Sequence, residues 1–265
     1  MPDSSRPSGA RRGTHPTERG SMTHNWRLVH SGQCSPSWNM ALDEAMYLLM
    51  KRRAISPTLR LFRWNPTAVS IGHFQDVELP EVQNYMKQGY PLVRRPTGGL
   101  TVLHAGDLSY AVVGIPGEAG LPRSPRGLYR QVHEALQEAL SSLGLRPNLY
   151  SGDEQRTLAG LCNAVPMRSD LMIDGETKIA GSAQVRSGGA VLQHGCIHVP
   201  AGIDLDLFED GVPAACERTM GLSFTEGLLS AAETALATRL KELKYDCDEW
   251  NLHGRDLSVS DDVQD

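Results

Sequence analysis

The sequence predicts an α+β arrangement, a largely antiparallel or mixed sheet accompanied by helices, and three observations predict it. Residues 58–64 (TLRLFRW) alternate apolar and polar side chains, the period of a half-buried strand. Further short apolar runs follow one another across turns rather than long crossovers, which implies hairpins, and Asp174-Gly175 is a hairpin turn signal between two of them. Helical periodicity is confined to a few longer stretches.

Taken in order, residues 1–24 are rich in Ser, Pro, Gly, Arg and Thr and nearly lack large apolar side chains. They cannot bury enough surface to offset ordering entropy and are expected to be disordered. Residues 26–30 read as a first strand. Ser35 or Ser37 caps a helix over 38–50, where Met40, Ala41, Ala45, Leu48 and Leu49 keep a helical period. Acids stand early and Lys51-Arg52-Arg53 at the end, which suits the helix dipole. Strands follow at 58–64 and 68–71, and a short helix at 80–88 closes on Gly89. Leu92 and Val93 lead into Arg94-Arg95-Pro96-Thr97-Gly98-Gly99, then a strand at 100–103 with His104 and Asp107 at its exit, and another at 108–115. Residues 116–125 are a Gly/Pro-rich loop. Leu128, Val132, Leu136, Leu140 and Leu143 mark one face of a helix that ends at Gly144. Residues 148–160 are polar and loop-like. Strands at 171–173, 178–180 and 183–186 (around Gly181), 190–192 and 197–199 follow, turned by Asp174-Gly175 and Gly188-Gly189. Ser223 opens a last helix to about Leu243. The division expected is a disordered segment at 1–24, a catalytic domain at 25–247 and an acidic tail at 248–265.

Composition narrows the function classes. The chain of 265 residues is 40% hydrophobic and 22% charged, an ordinary globular balance. A formal charge of −5 argues against general nucleic-acid affinity. No apolar run is long enough to span a membrane, and the N-terminus lacks the apolar core of a secretory signal. Five widely spaced cysteines without a CxxC pair fit free thiols and a cytoplasmic setting.

Chemistry concentrates in two places. Arg94 and Arg95 supply planar charged donors ahead of Gly98-Gly99, whose backbone N–H groups can form a nest for an anionic or carbonyl-bearing ligand; a solvated basic turn would read the same way. Cys162 precedes the hairpin that carries Lys178. An ammonium beside a thiol favours the thiolate, and a desolvated lysine can accept a proton, so the two make a sensible acyl-transfer dyad. Read singly, Cys162 is an inert packed thiol and Lys178 a solvated strand lysine. Cys34, Cys196, Cys216 and Cys247 read as packing or surface thiols. His73, His104, His194 and His198 do not pair at ligand spacing on a helix, and on a strand positions 194 and 198 are well separated, so no metal site is expected.

Together these motifs resemble the lipoate–protein ligase superfamily, which also contains biotin–protein ligases and octanoyltransferases. The resemblance covers residues 26 to about 243. It rests on Asn39-Met40-Ala41-Leu42-Asp43-Glu44, Ser70-Ile71-Gly72-His73-Phe74-Gln75, Arg94-Arg95-Pro96-Thr97-Gly98-Gly99 with Val102-Leu103-His104, Lys178-Ile179-Ala180-Gly181-Ser182-Ala183-Gln184, and Leu192-Gln193-His194-Gly195. It implies an α+β domain with a mixed, mostly antiparallel sheet flanked by helices. The closest likeness is to the LipM-type octanoyltransferases, whose nucleophilic cysteine lies upstream of the lysine-bearing Gly-Ser-Ala-Gln motif, the place Cys162 holds here. The resemblance therefore implies catalysis by Cys162 and Lys178. It implies substrate binding by Gly72, Arg94, Arg95, Gly98, Gly99, His104, Gly181 and His194, with Gly72 and Gly98 narrowing the mouth of a pocket for a C8 chain. The implied partners are octanoyl-acyl carrier protein and a lipoyl-domain acceptor, steered by Arg94, Arg95, Arg123 and Arg126, with no cofactor, nucleic acid or membrane. Two departures point to the ligases instead, which need ATP and Mg²⁺: Asn163 where an aromatic often follows the cysteine, and Ser169-Asp170-Leu171, similar to a ligase Asn-Asp-Leu element. A non-catalytic binder of carrier or lipoyl domains is the remaining alternative.

Overall fold

The computed structural model of the chain describes residues 24–152 and 166–256. Its elements are β1 (His24–Cys34), α1 (Pro36–Lys51), β2 (Thr58–Trp64), β3 (Ala68–Ile71), α2 (Pro80–Lys87), β4 (Leu92–Arg94), β5 (Val102–His104), β6 (Leu108–Gly114), α3 (Pro125–Ser142), β7 (Asn148–Leu149), β8 (Leu171–Ile173), β9 (Thr177–Ser187), β10 (Ala190–Ile197), α4 (Leu205–Met220), β11 (Leu222–Glu226), α5 (Ala231–Leu240) and α6 (Asp248–Asn251). A π turn over Lys241–Tyr245 continues α5.

The large sheet runs in the order β11-β1-β2-β6-β10-β9-β8-β7. β1 lies parallel to β11 and β2, and the other pairs are antiparallel. The sheet is therefore mixed and mostly antiparallel. In a small sheet, β4-β3-β5, the central β3 pairs parallel with β4, Ile71 opposite Arg94, and antiparallel with β5, Ala68 opposite His104.

Helices cover both faces of the large sheet. Leu59 and Leu61 of β2 pack with Leu128, Val132 and Leu136 of α3 and with Phe208 and Val212 of α4. Phe62 and Trp64 pack with Met40, Leu42 and Met46 of α1 and with Ala237 and Leu240 of α5. Strand β2, expected to be half-buried, is thus covered on both sides. Arg60, on the α1 face, is wholly buried; it donates to Asp43 Oδ1 at 2.6 Å and Asn39 Oδ1 at 2.6 Å, so its charge is compensated inside the core.

Local chemistry accounts for several boundaries. Ser35 Oγ accepts the Trp38 N–H and Pro36 opens α1, which needs no N–H there. Asp43 and Glu44 lie in the middle of α1, not its first turn, because the helix begins at Pro36; they pair with Arg60 and with Lys244 and Tyr245. Asp174 and Gly175 take left-handed φ of 53° and 75° in the turn that joins β8 to β9, where the Glu176 N–H donates to Ile173 O at 3.3 Å.

Three expectations are corrected. Residues 223–243 are not one helix: they form β11, α5 and the π turn, because Gly221 and Gly227 interrupt the pattern and Ser230 starts a capping box with Glu233. Helix α4 was not anticipated, since Gly211 and Pro213 in its middle break the periodic signal. The domain does not end at 247. Trp250 is 2% exposed and its indole donates to Arg94 O at 2.9 Å, so the segment read as the start of an acidic tail is packed structure. The disorder expected for 1–24, apart from His24 in β1, and the tail beyond 256 lie outside the described residues.

Candidate active site

Gly72 follows β3 where two loops meet backbone to backbone. A Cβ at Gly72 would stand 2.0 Å from Gly99 O, so no larger residue fits. Gly99 takes a left-handed φ of 97°. Gly98 has open space where a Cβ would point, so the narrowing expected of Gly72 and Gly98 belongs to Gly72 and Gly99. Gln75 ties this contact in place: its Oε1 accepts the Gly72 N–H and its Nε2 donates to Thr101 Oγ1.

The two arginines part company. Arg94 donates from Nη1 to the carbonyls of Gly72, His73 and Gln75, from Nε to Trp250 O and from Nη2 to Leu252 O. Its guanidinium is consumed in joining the Gly72 loop to the C-terminal segment, which corrects its expected role in substrate binding. Arg95 is also buried; it donates to Ser70 Oγ at 2.7 Å and to the carbonyls of Gly98 and Leu100. Neither stands at the surface to steer a partner, whereas Arg123 and Arg126 are exposed.

Two histidines are held in matching chains. His194 Nδ1 lies 2.9 Å from Asp43 Oδ2 and its Nε2 2.6 Å from Thr97 Oγ1. His104 Nδ1 lies 2.8 Å from Asp107 Oδ2 and its Nε2 2.8 Å from Ser70 Oγ. The carboxylates fix the proton on Nδ1, leaving Nε2 to accept from a hydroxyl. Burial lowers the His104 pKa despite Asp107, which keeps the ring neutral; it stacks on Trp64 with centroids 3.9 Å apart. Both rings position hydroxyls and wall the cavity.

Lys178 sits in a third buried network. Its Nζ lies 2.7 Å from Asp170 Oδ2, which also accepts the Met167 N–H at 2.6 Å. Asp170 Oδ1 accepts from the Tyr129 hydroxyl, and the Tyr129 hydroxyl oxygen accepts the Ser182 N–H at 3.0 Å. Burial and then Asp170 push the Tyr129 phenol well above its ordinary pKa, so it stays a donor. Ser182 Oγ in turn contacts the Tyr110 hydroxyl and His133 Nε2, and His133 Nδ1 donates to Ser169 O at 2.6 Å. Burial brings His133 down to about 4, so it is a neutral acceptor for Ser182. Gly181 makes room for the lysine: a Cβ there would stand 2.9 Å from Lys178 Nζ.

These networks line a half-open pocket, with Met40, Phe62, Trp64 and Val102 among its apolar walls. A wider, open groove, edged by Arg126, Arg130 and Arg168 and by Tyr129 and Met167, shares Ser182 and Ala183 with it. Arg95, Gly99, His104, Gly181 and His194 all line the cavity, and Lys178 lies directly behind Gly181. Cys162 lies outside the described residues. Sequence reasoning did not single out Asp43, Tyr129, His133, Asp170 or Ser182 as site residues. Asp43 and Ser182 sat inside quoted motifs, and Asp170 in the Ser-Asp-Leu element, so their signal was present but their contacts were not.

Residues 35–220 match the family described as the lipoyl protein ligase A/B catalytic domain. Octanoyltransferase LipM of Symbiobacterium thermophilum is 34% identical over 278 residues, covering 87% of this chain and 99% of that protein. Octanoyltransferase LipM of Kyrpidia tusciae is 34% identical over 274 residues, covering 85% and 98%. Among solved structures, lipoate-protein ligase A bound with ATP is similar with a TM-score of 0.72 at 25% identity, covering 88% of this chain and 100% of that one.

Proposed function

The chain belongs to the lipoyl protein ligase A/B catalytic-domain family, and from that premise we propose that it is an octanoyltransferase of protein lipoylation. It moves an octanoyl group from acyl carrier protein, through a thioester on Cys162, to a lysine of a lipoyl domain. The observation that carries this reading is the half-open, mostly apolar pocket whose wall at Gly181 backs directly onto the buried Lys178–Asp170 pair. An aliphatic chain suits such a pocket, with its carbonyl end toward Lys178, a buried cation able to stabilise an oxyanion by charge.

Two half-reactions follow. The Cys162 thiolate adds to the carrier thioester, the carbonyl oxygen gains negative charge beside Lys178, and the carrier sulfur leaves and takes up a proton. The neutral ε-amine of the acceptor then adds to the Cys162 thioester, Cys162 leaves as thiolate, and the amide forms as the amine proton passes to water. Lys178 Nζ, held 2.7 Å from Asp170 Oδ2, is placed to polarise the carbonyl. The wide groove with Arg126, Arg130 and Arg168 offers acidic partner domains an approach to the same point. The thioester supplies the free energy, so the reaction as written needs no cofactor.

Intact mass after exposure to octanoyl-carrier protein tests the reading: the wild type gains one octanoyl group without ATP, and Cys162→Ala gains none. The likeness to a ligase bound with ATP favours a second reading, activation of free acid as an adenylate. Acyl transfer only from free octanoate with ATP and Mg²⁺ would establish that instead.

A further inference from the structure

We propose that His104, Asp107 and Cys196 form a binding site for a zinc-class divalent cation in the wall of the cavity. The three come from β5, the turn after it and β10, so no spacing in the sequence reveals them. All three are buried, and one ligand atom from each lies within 4.8 Å of the other two. A thiol, an imidazole and a carboxylate are the donor set that zinc and cobalt favour. A zinc ion reaches about 2.3 Å to sulfur and about 2.0–2.2 Å to nitrogen and oxygen, so the cluster closes on it by shifts of less than an ångström.

A separate observation points to a ligand here. Asp107 Oδ1 is buried and has no hydrogen-bond partner among the described residues, while Oδ2 takes both His104 Nδ1 and Ser109 Oγ. An orphaned carboxylate oxygen in a buried cluster costs free energy that a cation offsets. The proton balance is also provided for. Zn–S, Zn–N and Zn–O bonds form; the thiol proton of Cys196 leaves through His198 Nε2, 3.7 Å from Sγ, and thence to water. The His104 ring proton moves from Nδ1 to Nε2, where it faces Ser70 Oγ at 2.8 Å, and Nδ1 turns its lone pair to the ion. Three protein ligands leave one position open toward the cavity.

His104 and Cys196 both line the cavity, so an occupied site narrows it; inhibition of transfer by the ion rests on the octanoyltransferase reading, but binding itself does not. The test is titration of the chelator-treated full chain with Co²⁺, followed by absorbance. The expected result is one equivalent bound, with a thiolate-to-cobalt charge-transfer band that persists in Cys162→Ala and vanishes in Cys196→Ser. Asp107→Asn should weaken binding at least about ten-fold. Melting curves establish that the variants are folded, and His104→Gln serves if Cys196→Ser is not. No thiolate band in the wild type, or a band that survives Cys196→Ser, overturns the proposal, as does a band lost in Cys162→Ala. If Co²⁺ binds as described while octanoyl transfer is undetectable without the metal, the site stands and the octanoyltransferase reading fails.

Discussion

Lys178 Nζ stands 2.7 Å from Asp170 Oδ2, with the two side chains 3% and 0% exposed. The carboxylate also collects the Tyr129 hydroxyl and the Met167 N–H, so one side chain sets the position of the lysine and of the loop just before β8. Asp170→Asn keeps the shape and removes the charge. Breaking a buried pair from one side costs about 3–5 kcal/mol, and displacing the ammonium should lower transfer about 10²-fold. Lys178→Met in the same background should recover most of the stability and none of the activity. Urea denaturation and a transfer assay on the three proteins check this; an Asp170→Asn variant with wild-type rate would show that Lys178 acts without its carboxylate.

Gly72 and Gly98 make a matched pair of tests. Alanine at 72 would drive a methyl to 2.0 Å from Gly99 O, whereas alanine at 98 meets nothing within 4 Å. Gly72→Ala should cost about 1–3 kcal/mol through forced separation of the loops and reduce transfer strongly. Gly98→Ala should stay within about 0.5 kcal/mol of wild type. Equal losses in the two variants would mean that the backbone contact at Gly72 does not shape the cavity.

The sequence disclosed the elements that carry a local signal. The alternation of β2, the Asp174-Gly175 turn and the period of α3 all need only neighbouring residues, and each appears where expected. Arg60 shows where that logic stops: alternation places it opposite Leu59, but only the position of α1 decides that this face is buried and that Asp43 waits there. The site follows the same rule. The glycines and the His-bearing motifs were visible because close backbone approach restricts residue choice. The division of labour between Arg94 and Arg95 was not, since it depends on Trp250 and Leu252, more than 150 residues away. Helix α4 was hidden by Pro213, which its packing against α3 overrides.

His133 should make stability depend on pH. Its burial lowers the folded-state pKa to about 4, against about 6.5 in the unfolded chain. Between those values the unfolded state binds the extra proton, so the contribution is whole above about pH 6.5 and is lost as pH falls toward 4, by about 3 kcal/mol in all. His133→Gln keeps a polar contact for Ser182 without titrating. Denaturation at pH 7.5 and pH 5 should then show a larger drop for wild type than for the variant, the two pH values being chosen about this window. Parallel losses would place the acid sensitivity in other groups.

The C-terminal segment should behave as part of the catalytic unit. Trp250 is 2% exposed; its indole donates to Arg94 O, and Lys244 lies over its ring at 3.9 Å. Asn251 Oδ1 accepts the Arg94 N–H at 3.0 Å, and Trp250 O and Leu252 O accept from the Arg94 guanidinium. The same guanidinium fixes the carbonyls of Gly72, His73 and Gln75, so the segment reaches the cavity through one side chain. Trp250→Ala should cost about 3–5 kcal/mol, the range for a buried aromatic, and Asn251→Ala about 1–3 kcal/mol for the donors and acceptors left unmatched. Arg94→Lys keeps the charge but cannot span five carbonyls, so it should lower transfer and stability together. As a control, Leu228→Ala, at a side chain 91% exposed, should change neither. If a chain ended after Cys247 melts with the full-length protein and transfers octanoate at its rate, the packing of Trp250 against Arg94 contributes nothing to the site, and the boundary read from the sequence was the functional one.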